Sequence, residues 1–382
     1  MAHGLLSPSA RVLVAAAQPD ATDVDALPWD AVHWPTLVSL VTYERAEVPV
    51  CALLRRVTAV VPEDVQRAAQ ALERIARFRA AELSHAAAAT IDALAVARVR
   101  VLWLKGAALA MQSPAGFGVR SMGDLDLLVA PADRARAETA LAGAGWSSSM
   151  VTGYDDHHHD APMIRPGGLR LELHSALFPP NHPFADEPAA DWLARGVEVD
   201  WGARRVLVLP PTWHVVHAST HWAWSHEGTV GSWQYLHDVH RLTAGWASDG
   251  TEWEAVIRNA GQIGAALPVG WAVWSARQLV GLHVSEHVID RLRGRHQLLT
   301  GMAERQWVLA AFHSPAASPS VRWSRFWWRR AMHGIGDAGG RWPWAIGRVA
   351  PVLPVADPQS RPGVSSSRLS RWRRHLARVV RS

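Results

Sequence analysis

The sequence predicts an α+β protein: a small mixed β-sheet with flanking helices, preceded and followed by helical regions. Apolar residues recur at helical spacing from Trp29 to about Arg98. Short apolar stretches then alternate with helical ones over residues 99–210. Helical spacing returns from Pro211 onward. These three observations define the predicted fold class.

The composition is typical of a folded protein, because 49% of the 382 residues are apolar and only 19% are charged. The single cysteine, Cys51, excludes an intramolecular disulfide and suits a small buried side chain in a reducing compartment. No stretch is apolar enough to predict a transmembrane helix, and the N-terminus lacks the basic region of a signal peptide. We therefore expect a cytoplasmic protein.

The changes in pattern along the chain divide it into five predicted units. These are a flexible leader (1–25), an N-terminal helical region (26–98), an α/β core (99–210), a C-terminal helical region (211–315) and a basic, partly disordered tail rich in Trp and Arg (316–382).

Within the core, the stretch "VRVLWL" predicts a strand that ends at a Lys-Gly turn, and "AALAMQ" predicts the helix that follows. After a glycine-containing loop, "DLDLLVA" alternates as a strand does, and "PADRARAETALAGAG" predicts a helix with Pro131 near its start. The stretch "APMIRPGGLRLELHSAL" predicts two strands joined by a Pro-Gly-Gly turn.

Three carboxylates follow this strand pattern. Asp124 and Asp126 are two residues apart on one predicted strand, so both point to the same face. Glu172 alternates with leucines on a later strand and can point to the same place. Neighbouring carboxylates repel unless a cation lies between them, and oxygen ligands suit Mg²⁺ or Mn²⁺. The set predicts a two-metal site for phosphoryl transfer, although an Asp-x-Asp pair alone also suits a solvated strand edge.

Lys105 is the only lysine among the 39 basic residues of the chain. It lies before Gly106, at the turn between the predicted strand and helix. A lysine ammonium is a compact point charge, whereas an arginine guanidinium is a planar fork, so the two groups make different contacts at such a turn. We therefore predict that Lys105 contacts phosphate.

The order "LWLKGAALA", "VRSMGDLDLLV", "LRLELH" resembles the uncharacterised nucleotidyltransferase family of the DNA polymerase β-like superfamily, over about residues 30 to 285. The resemblance implies a nucleotidyltransferase-type sheet. It also implies metal-dependent transfer of a nucleoside monophosphate from an NTP such as ATP to an acceptor, with release of pyrophosphate. By this resemblance Asp124 and Asp126 are the metal-binding pair, and Glu172 is the third catalytic carboxylate.

The resemblance also implies a set of nucleotide-binding residues. Gly106 matches the glycine of the helix-start turn that binds triphosphate, and Gly123 precedes the acidic pair. Ala107 stands where relatives have a serine, so a phosphate-binding hydroxyl is missing. Lys105 and the backbone N–H groups of the turn are expected to compensate. Arg120 matches a recurrent family arginine and is expected to contact phosphate.

Two histidines are candidates for supporting the site. His174 shares the strand face of Glu172 and is expected to support the metal ligands or contact substrate. His159 belongs to the stretch "DDHHHD" and is expected to face the site, while a solvated loop remains open for this stretch.

Polar residues on the predicted C-terminal helices have more than one interpretation. His214, His217 and His221 recur at helical spacing, which suits either a buried hydrogen-bonded face or a zinc site. Asp238 is expected to be a buried acid paired with Arg241 or with a histidine.

The C-terminal tail concentrates positive charge, with 13 Arg against two Asp between Val321 and Ser382. Arginine interleaved with tryptophan, as in "VRWSRFWWRR", suits an anionic partner such as a membrane surface or a nucleic acid. A solvated tail partly packed on the protein is the alternative.

Several functions remain open at this level. The acceptor is a small molecule, a peptide or a protein, and the resemblance makes a role in natural-product or modified-peptide tailoring plausible. One alternative is transfer from another phosphate-linked donor. A second is a degenerate module that binds nucleotide or RNA without catalysis.

Overall fold

The computed structural model describes residues 6–18, 23–57, 61–148, 161–178, 187–226, 228, 231–294 and 312. Within these residues it contains twelve α-helices and a seven-stranded mixed sheet. This confirms the predicted α+β fold class. His159 and the tail predicted from residue 316 lie outside the described residues, so the predictions for them are not addressed.

Four helices precede the sheet: α1 (Pro8–Ala15), α2 (Trp34–Glu44), α3 (Glu47–Leu54) and α4 (Glu63–Val96). Helix α4 begins after Pro62 with two acids in its first turn, where they complement the positive end of the helix dipole. Cys51 is buried, and its Sγ lies 3.1 Å from the carbonyl oxygen of Ala69 on α4. The expected small buried side chain is thereby confirmed.

The flexible leader expected over residues 1–25 contains a helix instead. The side-chain oxygen of Ser7 caps α1 by accepting a hydrogen bond from the backbone of Ala10. Val12, Leu13 and Val14 are buried, and α1 packs on α2. The short apolar run is therefore long enough for a helix that gains its stability from tertiary packing.

Seven strands form one sheet in the order β3-β4-β5-β2-β1-β7-β6. They are β1 (Val101–Trp103), β2 (Asp124–Val129), β3 (Ser147–Ser148), β4 (Met163–Arg165), β5 (Leu169–His174), β6 (Val197–Trp201) and β7 (Arg204–Val208). Strand β2 pairs antiparallel with β1 and parallel with β5, and β1 pairs parallel with β7. Strands β2 and β5 are thus interior and adjacent.

The two faces of β2 and β5 differ in polarity. Leu125, Leu127, Leu171 and Leu173 point to one face and belong to the main apolar core, together with Leu83 of α4. Because side chains alternate along a strand, the residues between these leucines share the opposite face. That face carries the acids.

The helices around the core are α5 (Lys105–Met111), α6 (Arg134–Gly143) and α7 (Ala189–Arg195). Helix α7 and the hairpin of β6 and β7 were not predicted individually within the α/β core. The alternation in "VEVDW" and the turn at Gly202, which has a φ of 60°, are the signals that indicate this hairpin. The hairpin extends the sheet beyond β1.

The C-terminal helical region contains α8 (Pro211–Thr220), α9 (Ser232–Leu242), α10 (Thr251–Gln262), α11 (Ala266–Val280) and α12 (Glu286–Arg293). A π-helical turn over His221–Ser225 follows α8. Trp222 in this turn stacks on Tyr235 and Trp271 at centroid distances of 4.4 and 4.9 Å. None of the described helices has the length and apolar character needed to cross a membrane.

Close packing at Gly196 generates a prediction about stability. A Cβ atom there would lie 2.5 Å from Leu207 Cγ and 2.9 Å from Leu102 Cδ1. We expect Gly196→Ala to lower the free energy of unfolding by about 1–3 kcal/mol, because buried leucines must shift. Urea denaturation measures the change. The control is Gly261→Ala in α10, where nothing lies within 4 Å of the added atom. Equal effects of the two substitutions would contradict the prediction.

Candidate active site

The candidate site is the acid cluster, formed by Asp124, Asp126 and Glu172 on neighbouring strands. The parallel register of β2 and β5 places Asp126 beside Glu172 and Asp124 beside Arg170. Asp126 is 3% exposed and the side chain of Glu172 is 13% exposed. The structure thus places the three carboxylates that the sequence singled out on one face of two neighbouring strands, and Asp126 and Glu172 are directly side by side.

Asp126 is the most strongly contacted of the three acids. Its Oδ1 accepts a hydrogen bond from Lys105 Nζ at 2.7 Å and another from His174 Nε2 at 2.9 Å. Neither contact uses Oδ2. The Lys105 ammonium also lies 4.0 Å from Glu172 Oε2, and His174 Nε2 lies 3.9 Å from that atom. The Lys105 ammonium and the His174 imidazole therefore both hydrogen-bond to Asp126 and lie close to the carboxylate of Glu172.

The pKa values of the three acids shift in different directions. Burial would raise the pKa of Asp126, but the Lys105 charge and the His174 hydrogen bond outweigh it and hold that pKa well below its usual range. Burial and the charge of Asp126 raise the pKa of Glu172 to about 7, although Lys105 and Arg170 oppose the shift. Burial and Asp126 also raise the pKa of Asp124. Burial and the neighbouring Asp126 charge thus favour the protonated forms of Glu172 and Asp124.

Lys105 has an unusual backbone conformation as the first residue of α5. Its φ of 50° lies in the left-handed region, which a residue with a Cβ atom rarely adopts. Burial would lower the pKa of its ammonium, but the charges of Asp126, Glu172 and Asp124 outweigh burial and raise it. Lys105 is therefore charged and faces the acid cluster.

Helix α8 lies behind Lys105 and His174. His214 and His217 are 1% and 2% exposed, which agrees with the predicted buried helix face. Burial lowers the pKa of His214 to about 4, and the imidazole hydrogen-bonds to the backbone of Lys105. Burial, with the nearby charges of His214, Lys105 and His174, lowers the pKa of His217 well below its usual value. Both rings are neutral at physiological pH and extend the site into the C-terminal region.

A divalent ion fits the chemistry of this site. Asp126, Glu172 and His174 each offer a ligand atom, and these atoms lie within 4.8 Å of one another. Within the described part of the chain this is the single group of three such side chains, so the histidines at 214, 217 and 221 form no comparable group there. Burial and the charge of Asp126 raise the pKa of Glu172 and of Asp124, and a dication beside these carboxylates would favour their charged forms. His174 was predicted only as a supporting residue.

Arg120 is engaged by Asp238 rather than left open toward the acids. Its Nε and Nη2 donate to the two carboxylate oxygens of Asp238, each at 2.7 Å, and both side chains are about one-tenth exposed. The expectation that Asp238 pairs with Arg241 or a histidine is wrong, because the loop before β2 brings Arg120 to α9. The predicted phosphate contact of Arg120 stays a prediction.

The small residues of the site have packing roles that the sequence did not reveal. A Cβ atom at Gly106 would lie 2.8 Å from both Arg120 Nη2 and Met122 Sδ, so a larger residue there would have to displace the ends of these two side chains. Ala107 is 1% exposed, and its side chain packs in the core. A Cβ atom at Gly123 would overlap the guanidinium of Arg45. The roles predicted for these three residues in nucleotide binding are not tested by this geometry.

Two arginines near Asp124 were missed at the sequence level. Arg45 and Arg170 both lower the pKa of Asp124 against the effect of burial. Arg170 is two residues before Glu172, so strand alternation already indicates that it shares the acidic face. Arg45 follows α2, far away in sequence, and no local pattern indicates its position.

The buried Arg120–Asp238 pair generates a second prediction. We expect Arg120→Gln to lower the free energy of unfolding by about 3 kcal/mol, because Asp238 is left with an unpaired, nearly buried charge. Urea denaturation at neutral pH measures it. The matched control is Arg134→Gln, which breaks an ion pair whose side chains are 45% exposed and should cost less than about 1 kcal/mol. Unchanged stability of Arg120→Gln with lost NTP binding would instead identify a phosphate ligand.

The pKa of Glu172 generates a third prediction, on pH dependence in the absence of dications. Its folded-state pKa of about 7 exceeds the ordinary 4.5, so the folded state holds the proton more tightly. Stability is therefore lost as the pH rises from about 4.5 through 7. We expect Glu172→Gln to reduce the loss between pH 5 and pH 8 by on the order of 2 kcal/mol. Urea denaturation with EDTA measures it.

Glu138→Gln, at an exposed helical site, is the control for that pH series. An equal loss of stability in wild type and Glu172→Gln would show that Glu172 is not the group responsible.

One of three comparisons with known proteins found a match. The model of a family described as uncharacterised nucleotidyltransferases matches residues 30–281. The searches of curated proteins and of solved structures found no match. The matched range includes all of α2 to α11, and with them the acid cluster, Lys105 and the Arg120–Asp238 pair. The chain therefore belongs to the uncharacterised nucleotidyltransferase family.

Proposed function

We propose that this protein is a metal-dependent nucleotidyltransferase that transfers a nucleoside monophosphate from an NTP to an acceptor and releases pyrophosphate. The observation that carries the proposal is the acid cluster, in which two adjacent strands hold three carboxylates on one face of the sheet. The acceptor class remains a small molecule, peptide or protein.

The reaction exchanges one phosphorus–oxygen bond for another. The acceptor oxygen attacks the α-phosphorus of the NTP, and the bond from that phosphorus to the bridging oxygen of the β-phosphate breaks. The bridging oxygen and its electron pair leave with pyrophosphate, and the acceptor loses its proton. A bound Mg²⁺ or Mn²⁺ would favour attack by the acceptor oxygen and offset the charge of the leaving pyrophosphate.

The residues of the chain have separate tasks in this proposal. Asp124, Asp126 and Glu172 would hold the dication, because hard oxygen ligands suit Mg²⁺ and Mn²⁺. The hydrogen bond from His174 fixes the orientation of the Asp126 carboxylate. Lys105 at the start of α5 would contact the phosphates. Arg120 would support the loop before β2 through Asp238 and contribute positive potential.

A nucleotide- or RNA-binding module without catalysis is the second candidate. Two observations favour it: Ala107 is buried where relatives have a serine, and Lys105 already partly neutralises Asp126. Such a module would bind its ligand without needing the acids. RNA binding that weakens with salt and persists after loss of the three carboxylates would support it.

The proposed function generates a fourth prediction. Calorimetry with each NTP, with and without Mg²⁺ or Mn²⁺, should show metal-dependent binding that Asp124→Asn/Asp126→Asn abolishes. Pyrophosphate release with water as the acceptor should fall by at least about 100-fold in that variant, because the transition-state charge loses its stabilisation. Glu138→Gln, which removes an exposed carboxylate, should retain both properties. Metal-independent binding without pyrophosphate release would support the non-catalytic module.

A further inference from the structure

Lys105 has a position that a phosphate-binding role alone does not explain. Its ammonium lies inside the acid cluster, 2.7 Å from Asp126 Oδ1 and 4.0 Å from Glu172 Oε2. These are two of the three side chains that could hold a metal ion together. The ammonium therefore takes the place where positive charge is most favourable.

The backbone conformation of Lys105 is one that a lysine side chain disfavours. With a φ of 50°, residue 105 would be accommodated more easily as glycine. A residue that retains a Cβ atom in the left-handed region requires compensation from its surroundings. The contact with Asp126 supplies it, and the remaining 38 basic residues of the chain are arginines. A compact ammonium fits between neighbouring carboxylates better than a planar guanidinium.

We propose that Lys105 is an internal counter-cation of the acid cluster, which a divalent ion must displace when it binds. This inference rests on the proposed metal-dependent function. A dication held by Asp126 and Glu172 would compete with the ammonium, which lies 2.7 Å from Asp126 Oδ1 and 4.0 Å from Glu172 Oε2. Because two cations at the same carboxylates repel, the lysine side chain would have to leave Asp126.

The displacement links metal binding to nucleotide binding. When the ammonium leaves the carboxylates it loses their favourable charge interaction. The negative charge of a bound triphosphate restores such an interaction. Metal binding frees the Lys105 ammonium to contact the triphosphate, and the triphosphate stabilises the ammonium away from the acids. Each ligand therefore increases the affinity of the site for the other. In the absence of nucleotide, Lys105 keeps the affinity of the site for metal low and offsets the repulsion of the acids.

Mn²⁺ binding to the nucleotide-free protein tests this inference, because free Mn²⁺ has a sharp electron paramagnetic resonance signal that binding broadens. We expect Lys105→Met, which keeps the side-chain length without the charge, to bind Mn²⁺ ~10-fold more tightly than wild type. Lys105→Gly should behave in the same way, and its backbone is free to adopt the observed φ. Asp126→Asn should abolish binding in each background.

The matched control is Arg45→Gln, which removes the same charge close to Asp124 from an exposed residue. We expect it to raise Mn²⁺ affinity by less than ~3-fold, because charge lost from an exposed group is largely screened. Circular dichroism verifies that each variant is folded.

The outcomes separate the two proposals. Mn²⁺ binding that depends on Asp126, but is no tighter in either Lys105 variant than in Arg45→Gln, would overturn the counter-cation role and leave the metal-dependent function standing. Absence of Mn²⁺ binding from wild type and from every variant would overturn the metal-dependent function, and the counter-cation role with it.

Discussion

The structure of the site depends on the repulsion among three carboxylates that the parallel pairing of β2 and β5 brings together. The register sets Asp126 beside Glu172, and strand alternation adds Asp124 to the same face. The leucines between these acids are part of the apolar core, so the strands cannot shift by one residue without burying the acids there. The packing that stabilises the sheet therefore also holds the acids together.

The surroundings supply positive charge and hydrogen bonds from several distant parts of the chain. Lys105 comes from the start of α5, His174 from the end of β5, and Arg45 from the residue after α2. Helix α8 adds neutral histidines behind Lys105, and α9 supplies Asp238 to Arg120. The helical regions on both sides of the sheet are thus part of the site, which agrees with a family match that extends well beyond the α/β core.

Local patterns predicted those parts of the structure that short stretches specify. Alternation in "DLDLLV" and "LRLELH" predicts both acidic strands, and it predicts that Glu172 and His174 share one face. Contacts between distant segments could not be predicted in this way. The pairing of Arg120 with Asp238 and the approach of Arg45 to Gly123 depend on how the helices pack, and no periodicity encodes that. Helix α1 was missed because its stability comes from burial against α2.

Two unfavourable features lie next to each other in this site, and together they make cation binding favourable. The acids lie close to one another with little exposure to solvent, and burial and the charge of Asp126 raise the pKa values of Glu172 and Asp124. The lysine that partly neutralises them has a backbone conformation that its own side chain disfavours. A dication would stabilise the charged acids and would release the ammonium from Asp126. The site is therefore held ready for a ligand that brings both positive charge for the acids and negative charge for the lysine, which is the combination that a metal-bound triphosphate offers.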